Sequence, residues 1–425
     1  MAESTYFTLS IIIFVGVYAL IIWDKFDRAV IALSGAMLMV LLRVLNQEEA
    51  FASIDYNTIG LLVAMMIIVM IMRRTGIFEY MGIKMVKASK AEPFRLLILV
   101  CITTGVLSAL LDNVTTILLI LPIVLSVTDE LKINPIPFII SAIFASNVGG
   151  TATLIGDPPN IMIGSQAGLN FMDFLINDAV IAFPMLFVTS FIFAFIYRKQ
   201  LITDPALKDK VMALDENSTI KDHLLLKKCL VVFTLVIIGF LLHGALHFES
   251  STIALTGAVI LLFVSGIDSE LVLIEVEWKT IFFFSGLFIL VGGIEATGVI
   301  SMMAKGVIEM TGGDLFLTAM AILWVSAIAS AFIDNIPFVA TMIPLIIQMG
   351  DMTDINVMPL WWALSLGACL GGNGTAIGAS ANVVAIGMAE RNGYRISFGH
   401  YFKIAFPVML ITIVLSTVYI LLFQL

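Results

Sequence analysis

Runs of about 20 apolar residues, each long enough to cross the hydrocarbon core of a bilayer, recur from "YFTLSIIIFVGVYALIIW" to "AFPVMLITIVLSTVYILLF". Lipid offers no partner to a bare amide or carbonyl, so spanning segments of this kind must be helices. The pattern predicts an all-α polytopic membrane protein. In the first half, crossings are expected near 6–23, 28–46, 58–75 and 177–197, with a broken one over 136–168. Between the third crossing and the broken one lies "EPFRLLILVCITTGVLSALLDNVTTILLILPIVLSVTDE". Its two apolar arms are short for a span and meet at Asp112-Asn113, which suits a re-entrant hairpin with a polar tip better than two crossings.

The polar interruptions occur twice, in one register. A shift of 222 residues carries Asp112-Asn113 to Asp334-Asn335, Thr75-Gly76 to Thr297-Gly298, Gly149-Gly150 to Gly371-Gly372, and Asn160 to Asn382. The same shift carries "IALSGA" to "IALTGA", and no gap is needed from Ile31 to Asn160. Apolar sequence matches itself easily, but chance does not repeat Asp-Asn, Thr-Gly and Gly-Gly pairs at one offset. The chain reads as two homologous halves, each with about five crossings, a hairpin and a broken helix. The first is 1–198 (hairpin 95–128, broken helix 136–168) and the second 228–425 (hairpin 316–349, broken helix 358–389). The most polar stretch, 199–227, joins them as a linker with a partly helical surface segment.

Five crossings is an odd number, so the second half is expected to be inverted relative to the first. With both termini outside and the linker cytoplasmic, all of the 22 Lys and Arg residues except Arg43 and Lys305 fall inside. That is the bias that sets topology in membrane proteins.

Composition narrows the function. Charged residues make up only 12% of the chain and mean hydropathy is +1.08. The net charge of −9 includes no basic tract, which argues against nucleic acid. Three scattered cysteines, Cys101, Cys229 and Cys369, form neither a disulfide frame nor a metal cluster by spacing. A phosphate-binding Gly-x-x-x-x-Gly-Lys-Ser/Thr loop is missing, so an ATP-driven pump is not expected. The start "MAESTYFTLS" has no basic region or cleavage site of a secretory signal.

Inverted repeats with interrupted segments in matching places mark a transporter whose site lies near the midplane. "ASNVGGTATLIGDPPNIMIG" cannot be continuous helix, because Pro158-Pro159 removes two amide donors and starts a new helix. Its twin, "GGNGTAIGASANVVAIG", packs Gly371, Gly372, Gly374 and Gly378 into eight residues. Uncoiled backbone offers carbonyls to a cation and helix N-termini to an anion. The candidate ion-binding residues are therefore Asp112, Asn113, Thr115, Thr116, Ser146, Asn147, Thr151, Thr153, Asp157 and Asn160 from the first half. From the second come Asp334, Asn335, Thr341, Asn373, Thr375, Ser380 and Asn382.

A carboxylate at bilayer centre costs about 2.5–3.5 kcal/mol on insertion scales, which points to function. Asp112 and Asp334 can also serve as N-caps of the second hairpin arm. Asp157 faces Ala379 in the repeat, so it is either a coupling group or a cap before Pro158. A Na⁺ ion would find oxygen ligands at Asp112, Asn113, Asn147, Asp334, Asn335 and Asn373; no other cofactor is expected. No Lys or Arg lies within these motifs, so an anion would depend on amide dipoles or a co-bound Na⁺. His243 and His247, one turn apart without a third ligand, read as interfacial packing.

"LDNVTTILLILP", "GGTATLIGDPPN", "IDNIPFVATMIP" and "GGNGTAIGASAN" resemble the ion transporter superfamily over nearly the whole chain. The likeness is nearest to its arsenite-efflux and sodium/proton-antiporter branch, which includes the melanosomal P protein and carries a citrate-transporter-like domain. The resemblance implies two inverted repeats, a scaffold, a transport domain of hairpins and broken helices, homodimers and elevator-like movement. Dicarboxylate members have Ser-Asn-Thr at the hairpin tip. Here Asn113 takes the Asn position, but Asp112 and Val114 replace its neighbours, and Gly156-Asp157-Pro158-Pro159-Asn160 stands where those members have Gly-Thr-Pro-Pro-Asn.

The expected function is a secondary active ion transporter of the cytoplasmic membrane, not an enzyme, coupled to H⁺ or Na⁺. Its substrate is a small ion such as Na⁺ exchanged for H⁺, or arsenite or another anion. A di- or tricarboxylate symporter and an ion channel are the alternatives. An intramembrane aspartyl protease is disfavoured, because each Asp heads its own hairpin and the Gly-x-Gly-Asp motif is missing.

Overall fold

The computed structural model describes residues 2–425 apart from Asp24, 205–206, 209–211, 213–214 and Asp354. Part of the linker's expected helical segment thus lies outside the described residues. The helices of the first half are α1 (Ala2–Trp23), α2 (Arg28–Leu41), α3 (Gln47–Ala52), α4 (Tyr56–Arg73), α5 (Ile77–Ala88), α6 (Pro93–Ser108), α7 (Asn113–Glu130), α8 (Ile136–Thr151), α9 (Pro158–Ala167), α10 (Phe171–Asn177) and α11 (Ala179–Tyr197). Those of the second are α12 (His223–Leu246), α13 (Ser250–Ser265), α14 (Ser269–Leu273), α15 (Trp278–Ala296), α16 (Val299–Thr311), α17 (Leu315–Phe332), α18 (Asn335–Met352), α19 (Met358–Gly371), α20 (Ser380–Arg391) and α21 (Phe398–Phe423). Among the described residues eight helices have the length and hydropathy to cross a membrane.

The 222-residue register of the sequence is also the register of the helices. α6 to α9 begin at residues 93, 113, 136 and 158, and α17 to α20 at 315, 335, 358 and 380. Shared chemistry produces shared boundaries. Gly76 and Gly298 adopt left-handed backbone (φ +83° and +81°), which stops α4 and α15 and turns the chain into the short amphipathic helices α5 and α16. Asp112 and Asp334 accept backbone amides at the starts of α7 and α18. Only α10 lacks a counterpart among the helices. The second crossing is shorter than expected, because Arg43 turns left-handed (φ 59°) after α2 and Asn46 opens α3 with a capping box.

The contacts show the inversion directly. α2 and α15 run parallel, with Gly286 at Ala32, Gly35 at Leu290 and Gly293 at Met39. α4 and α13 also run parallel, with Gly60 at Ser251 and Gly257 at Ile68. The C-terminal end of α4 meets the N-terminal end of α15 through Arg74 and Glu275, 2.6 Å apart. That end also holds the start of α2, where Lys279 binds Asp27 at 2.8 Å. So α2 and α4 are antiparallel, and α13, the repeat of α2, points the opposite way from it.

Large apolar side chains such as Phe263, Leu41 and Val30 face outward, while Asn147, Asn160, Asn373, Asn382 and Asp157 are buried. Apolar outside and polar within is the arrangement for a solvent of lipid. The close approach of α8 to α6 needs glycine: a Cβ on Gly149 would stand 2.0 Å from the Gly105 carbonyl oxygen. Gly371 does the same for α19 against α17, 2.5 Å from the Ala327 carbonyl oxygen.

Candidate ion site between the hairpin tips

Two uncoiled segments, 152–157 and 375–379, separate α8 from α9 and α19 from α20. Each is held by the asparagine that follows it. Asn160 Nδ2 donates to the carbonyls of Thr153 (3.0 Å), Thr151 (3.1 Å) and Gly150 (3.5 Å), and Asn382 Nδ2 donates to Gly372 and Thr375, each at 2.8 Å. The hairpin tips close over the breaks. Thr153 Oγ1 donates to the Ala109 carbonyl at 2.5 Å, and Thr375 Oγ1 to the matching Ala331 carbonyl. Orphan carbonyls at helix ends are thereby satisfied without water.

Asn147 joins the halves. Its Oδ1 accepts from Asn113 Nδ2 (3.1 Å), and its Nδ2 donates to Asn373 Oδ1 (3.0 Å) and Asn382 Oδ1 (2.9 Å). The repeat of Asn147 is Cys369, whose thiol lies 3.4 Å from Asn160 Oδ1, the weaker form of the same cross-contact. Ser146 donates to the Asn113 carbonyl (3.0 Å) and Thr151 to the Asn147 carbonyl (2.8 Å). Thr116 is buried without a partner for its hydroxyl.

The first tip is level with the first break and the second tip also reaches it: Asn335 Nδ2 donates to both Asp157 oxygens at 3.4 Å. The tips come from opposite ends and meet at one level, so each hairpin turns back partway. Between them and the α2 and α15 starts lies a cavity of about 350 Å³. Asp112, Asn113, Asp157, Asn335 and Ser380 line it, together with Arg28 and Glu277. Its rim at the linker end is the exposed Asp27–Lys279 pair. Lys279 holds the Asp27 carboxyl below the usual carboxylate range, chiefly through their hydrogen bond.

Three features differ from the sequence reading. First, a cation does reach the core: Arg28 Nη1 pairs with Asp334 Oδ2 at 2.8 Å, where Ser380 Oγ also donates at 2.8 Å. Arg28, Glu277 and Lys279 read as ordinary loop charges in one dimension; only the packing of α2 against α15 brings them to the tips. Second, Asp157 makes no cap to α9; its side chain faces Asn335 and Cys369 instead. Third, Thr341 lies away from the cavity, bonded to Tyr18 Oη at 2.8 Å and joining α18 to α1.

The six residues expected to ligate Na⁺ do not form one set. Asp112, Asn113 and Asn335 line the cavity, Asp334 is ion-paired, and Asn147 and Asn373 lie behind it with their oxygens already accepting hydrogen bonds. Among the described residues no cluster of His, Cys, Asp or Glu suits a metal ion, and His243 and His247 are no exception.

A model of the citrate transporter family matches residues 18–367. A 46 kDa membrane protein of Mycobacterium leprae is 43% identical, with 97% of each chain covered. An uncharacterized transporter of Mycobacterium tuberculosis is 44% identical at the same coverage. The human P protein is 33% identical over 98% of this chain and 60% of its own length. In fold, the chain is similar to the Neisseria gonorrhoeae antimetabolite efflux pump MtrF (TM-score 0.59, 12% identity, 98% and 94% covered). It is also similar to the Alcanivorax borkumensis YdaH transporter (TM-score 0.52, 15% identity, 90% and 87% covered). With the matched model spanning most of its length, the chain belongs to the citrate transporter family and is a multi-pass membrane transporter, kin to the P protein.

Proposed function

We propose that this protein is a secondary active ion transporter of the cytoplasmic membrane, coupled to H⁺ or Na⁺, that binds a small cation between its hairpin tips. One observation carries the reading. Asp112 and Asp157 face a shared cavity, and among the described residues neither has a cationic partner, whereas Asp334 has Arg28. A cation, whether Na⁺ or a proton, supplies the missing charge with no desolvated anion left behind. Alternating access follows from inverted repeats: the linker-end mouth closes as the tips and breaks move against the α2–α4 and α13–α15 scaffold. With termini outside and linker inside, this form opens to the cytoplasm. Elevator-like movement and a homodimer belong to the same reading.

The test is reconstitution into liposomes with imposed Na⁺ and pH gradients. Uptake of Na⁺ against a pH gradient, lowered about 100-fold in Asp157→Asn, supports the reading. Flux that ignores both gradients overturns it, and a gradient-independent ion conductance identifies a channel. A second reading, an organic anion such as citrate, has its own support in Arg28 and Lys279 on the cavity wall. Citrate or arsenite counterflow lost in Arg28→Ala favours it.

A further inference from the structure

Asp178, between α10 and α11, is a fully buried carboxyl that does not line the pocket. It does not cap α11, and its Oδ1 has no hydrogen-bond partner. Its Oδ2 lies 2.5 Å from Ser365 Oγ on α19, and that same Oγ lies 2.7 Å from Asn160 Oδ1. The orientation of Asn160 is set by the carbonyls its Nδ2 serves, so its Oδ1 can only accept. A serine hydroxyl has one proton, and two close oxygen–oxygen contacts require two. The second proton belongs to Asp178. The titratable groups near it are Cys369 on α19 and Tyr419 on α21, whose hydroxyl donates to the Asn177 carbonyl at 2.6 Å. Neither is a cation, and α6, α8 and α10 bring no charged group to it.

We propose that Asp178 is a proton-binding site separate from the pocket, and that its proton sets, through Ser365, how firmly Asn160 holds the uncoiled crossing. With the proton in place, Asp178 donates to Ser365 and Ser365 donates to Asn160 Oδ1. When the Asp178 O–H bond breaks and the proton leaves to water, the Ser365 hydroxyl turns to the carboxylate. Asn160 Oδ1 then keeps only the weak Cys369 thiol. Asn160 ties the start of α9 to the end of α8, so the change is felt at the break beside the pocket.

The other half has no such device. Ile143 stands where Ser365 would be, and Asn382 Oδ1 takes its hydrogen bond from the amide of Asn147, which does not titrate. One break answers to a proton and its twin does not. The consequence for transport rests on the H⁺-coupled reading; the proton on Asp178 does not.

Infrared difference spectra of the full chain in lipid test the proton. Wild type minus Asp178→Asn at neutral pH is expected to show a carboxylic-acid C=O band, retained in Asp178→Glu and shifted in Ser365→Ala. No such band overturns the proposal. In liposomes, Asp178→Asn and Ser365→Ala are expected to lose the dependence of flux on the pH of the face opposite the linker. Should the band be present while both variants keep the wild-type pH profile, the control through Asn160 is overturned. Wild-type flux indifferent to pH and Na⁺ would sink the proposed function, and the infrared result would still decide Asp178.

Discussion

Asp112 and Asp334 occupy the same place in the repeat and have different surroundings. Both cap a hairpin arm. Asp334 is also bound by Arg28 and Ser380. At the matching positions of the repeat stand Ser250 and Pro158, which carry no charge and make no hydrogen bond to Asp112. Asp112 is left with Thr115, whose amide and hydroxyl lie 2.8 and 2.5 Å away. The breaks diverge in the same direction. The tip asparagine of the second hairpin, Asn335, serves Asp157, while that of the first, Asn113, serves Asn147, because Ala379 replaces the carboxylate. Symmetry builds the frame, and departures from it leave the carboxyls without a cationic partner, Asp112 and Asp157, on one side of the pocket.

The sharpest way to break this comparison is to remove the asymmetric acid. Asp157→Asn is expected to lower gradient-driven flux about 100-fold, roughly 2.7 kcal/mol of lost coupling. Ala379→Asp in that background should not restore it, since Asn113 is already engaged. Wild-type flux in Asp157→Asn, measured in liposomes, would remove Asp157 from the mechanism.

The two halves of the central cross-contact come next. Asn147→Ala strands Asn113, Asn373 and Asn382 in a buried place and should destabilise by about 3 kcal/mol. Its symmetric partner Cys369→Ala removes only a weak thiol donor and should cost about 1 kcal/mol. Thermal unfolding in detergent measures both, and equal losses would deny the difference.

Arg28→Gln leaves Asp334 without its cation inside the core. An expected tenfold fall in flux, about 1.4 kcal/mol, follows from a third uncompensated carboxylate competing for the transported ion. Arg28→Lys should not fully rescue, because a point charge replaces a planar fork. Full activity in Arg28→Gln, read from initial rates, would show that the Arg28–Asp334 pair is idle.

The smallest effect belongs to the rim. Lys279→Ala should leave stability at neutral pH nearly unchanged, because its pair with Asp27 is exposed and screened. Asp27 is held below the usual carboxylate range. Its pairing therefore stabilises the fold at pH values above the ordinary carboxylate range and is lost as pH falls through and below that range. An acid titration of wild type and Lys279→Ala should converge at the acid end.

The hairpins and breaks were legible in the sequence because lipid punishes polar groups. Asp112-Asn113, Gly156, Pro158 and their counterparts stand out against apolar neighbours, and a second copy at one offset separates signal from chance. Arg28, Ser365 and Asp178 were not legible. Arg28 looks like any charge at the foot of a crossing, Ser365 like a small packing residue, and Asp178 like a cap at a crossing's start. Each acquires its role from a partner more than 180 residues away, Arg28 at Asp334 and Asp178 at Ser365. The opposite error came at Thr341, whose place beside a polar tip suggested the pocket while its helix turns it toward Tyr18.

The one-dimensional pattern determined the number of copies, their opposed directions and the kind of residue brought to the middle. Those follow from hydrophobicity, parity and the cost of bare backbone in lipid, all of which are local. Which carboxyls go without a cationic partner, and which one is ion-paired, was decided only by how the two copies interlock. Charge pairing is short-ranged and pays no heed to distance along the chain.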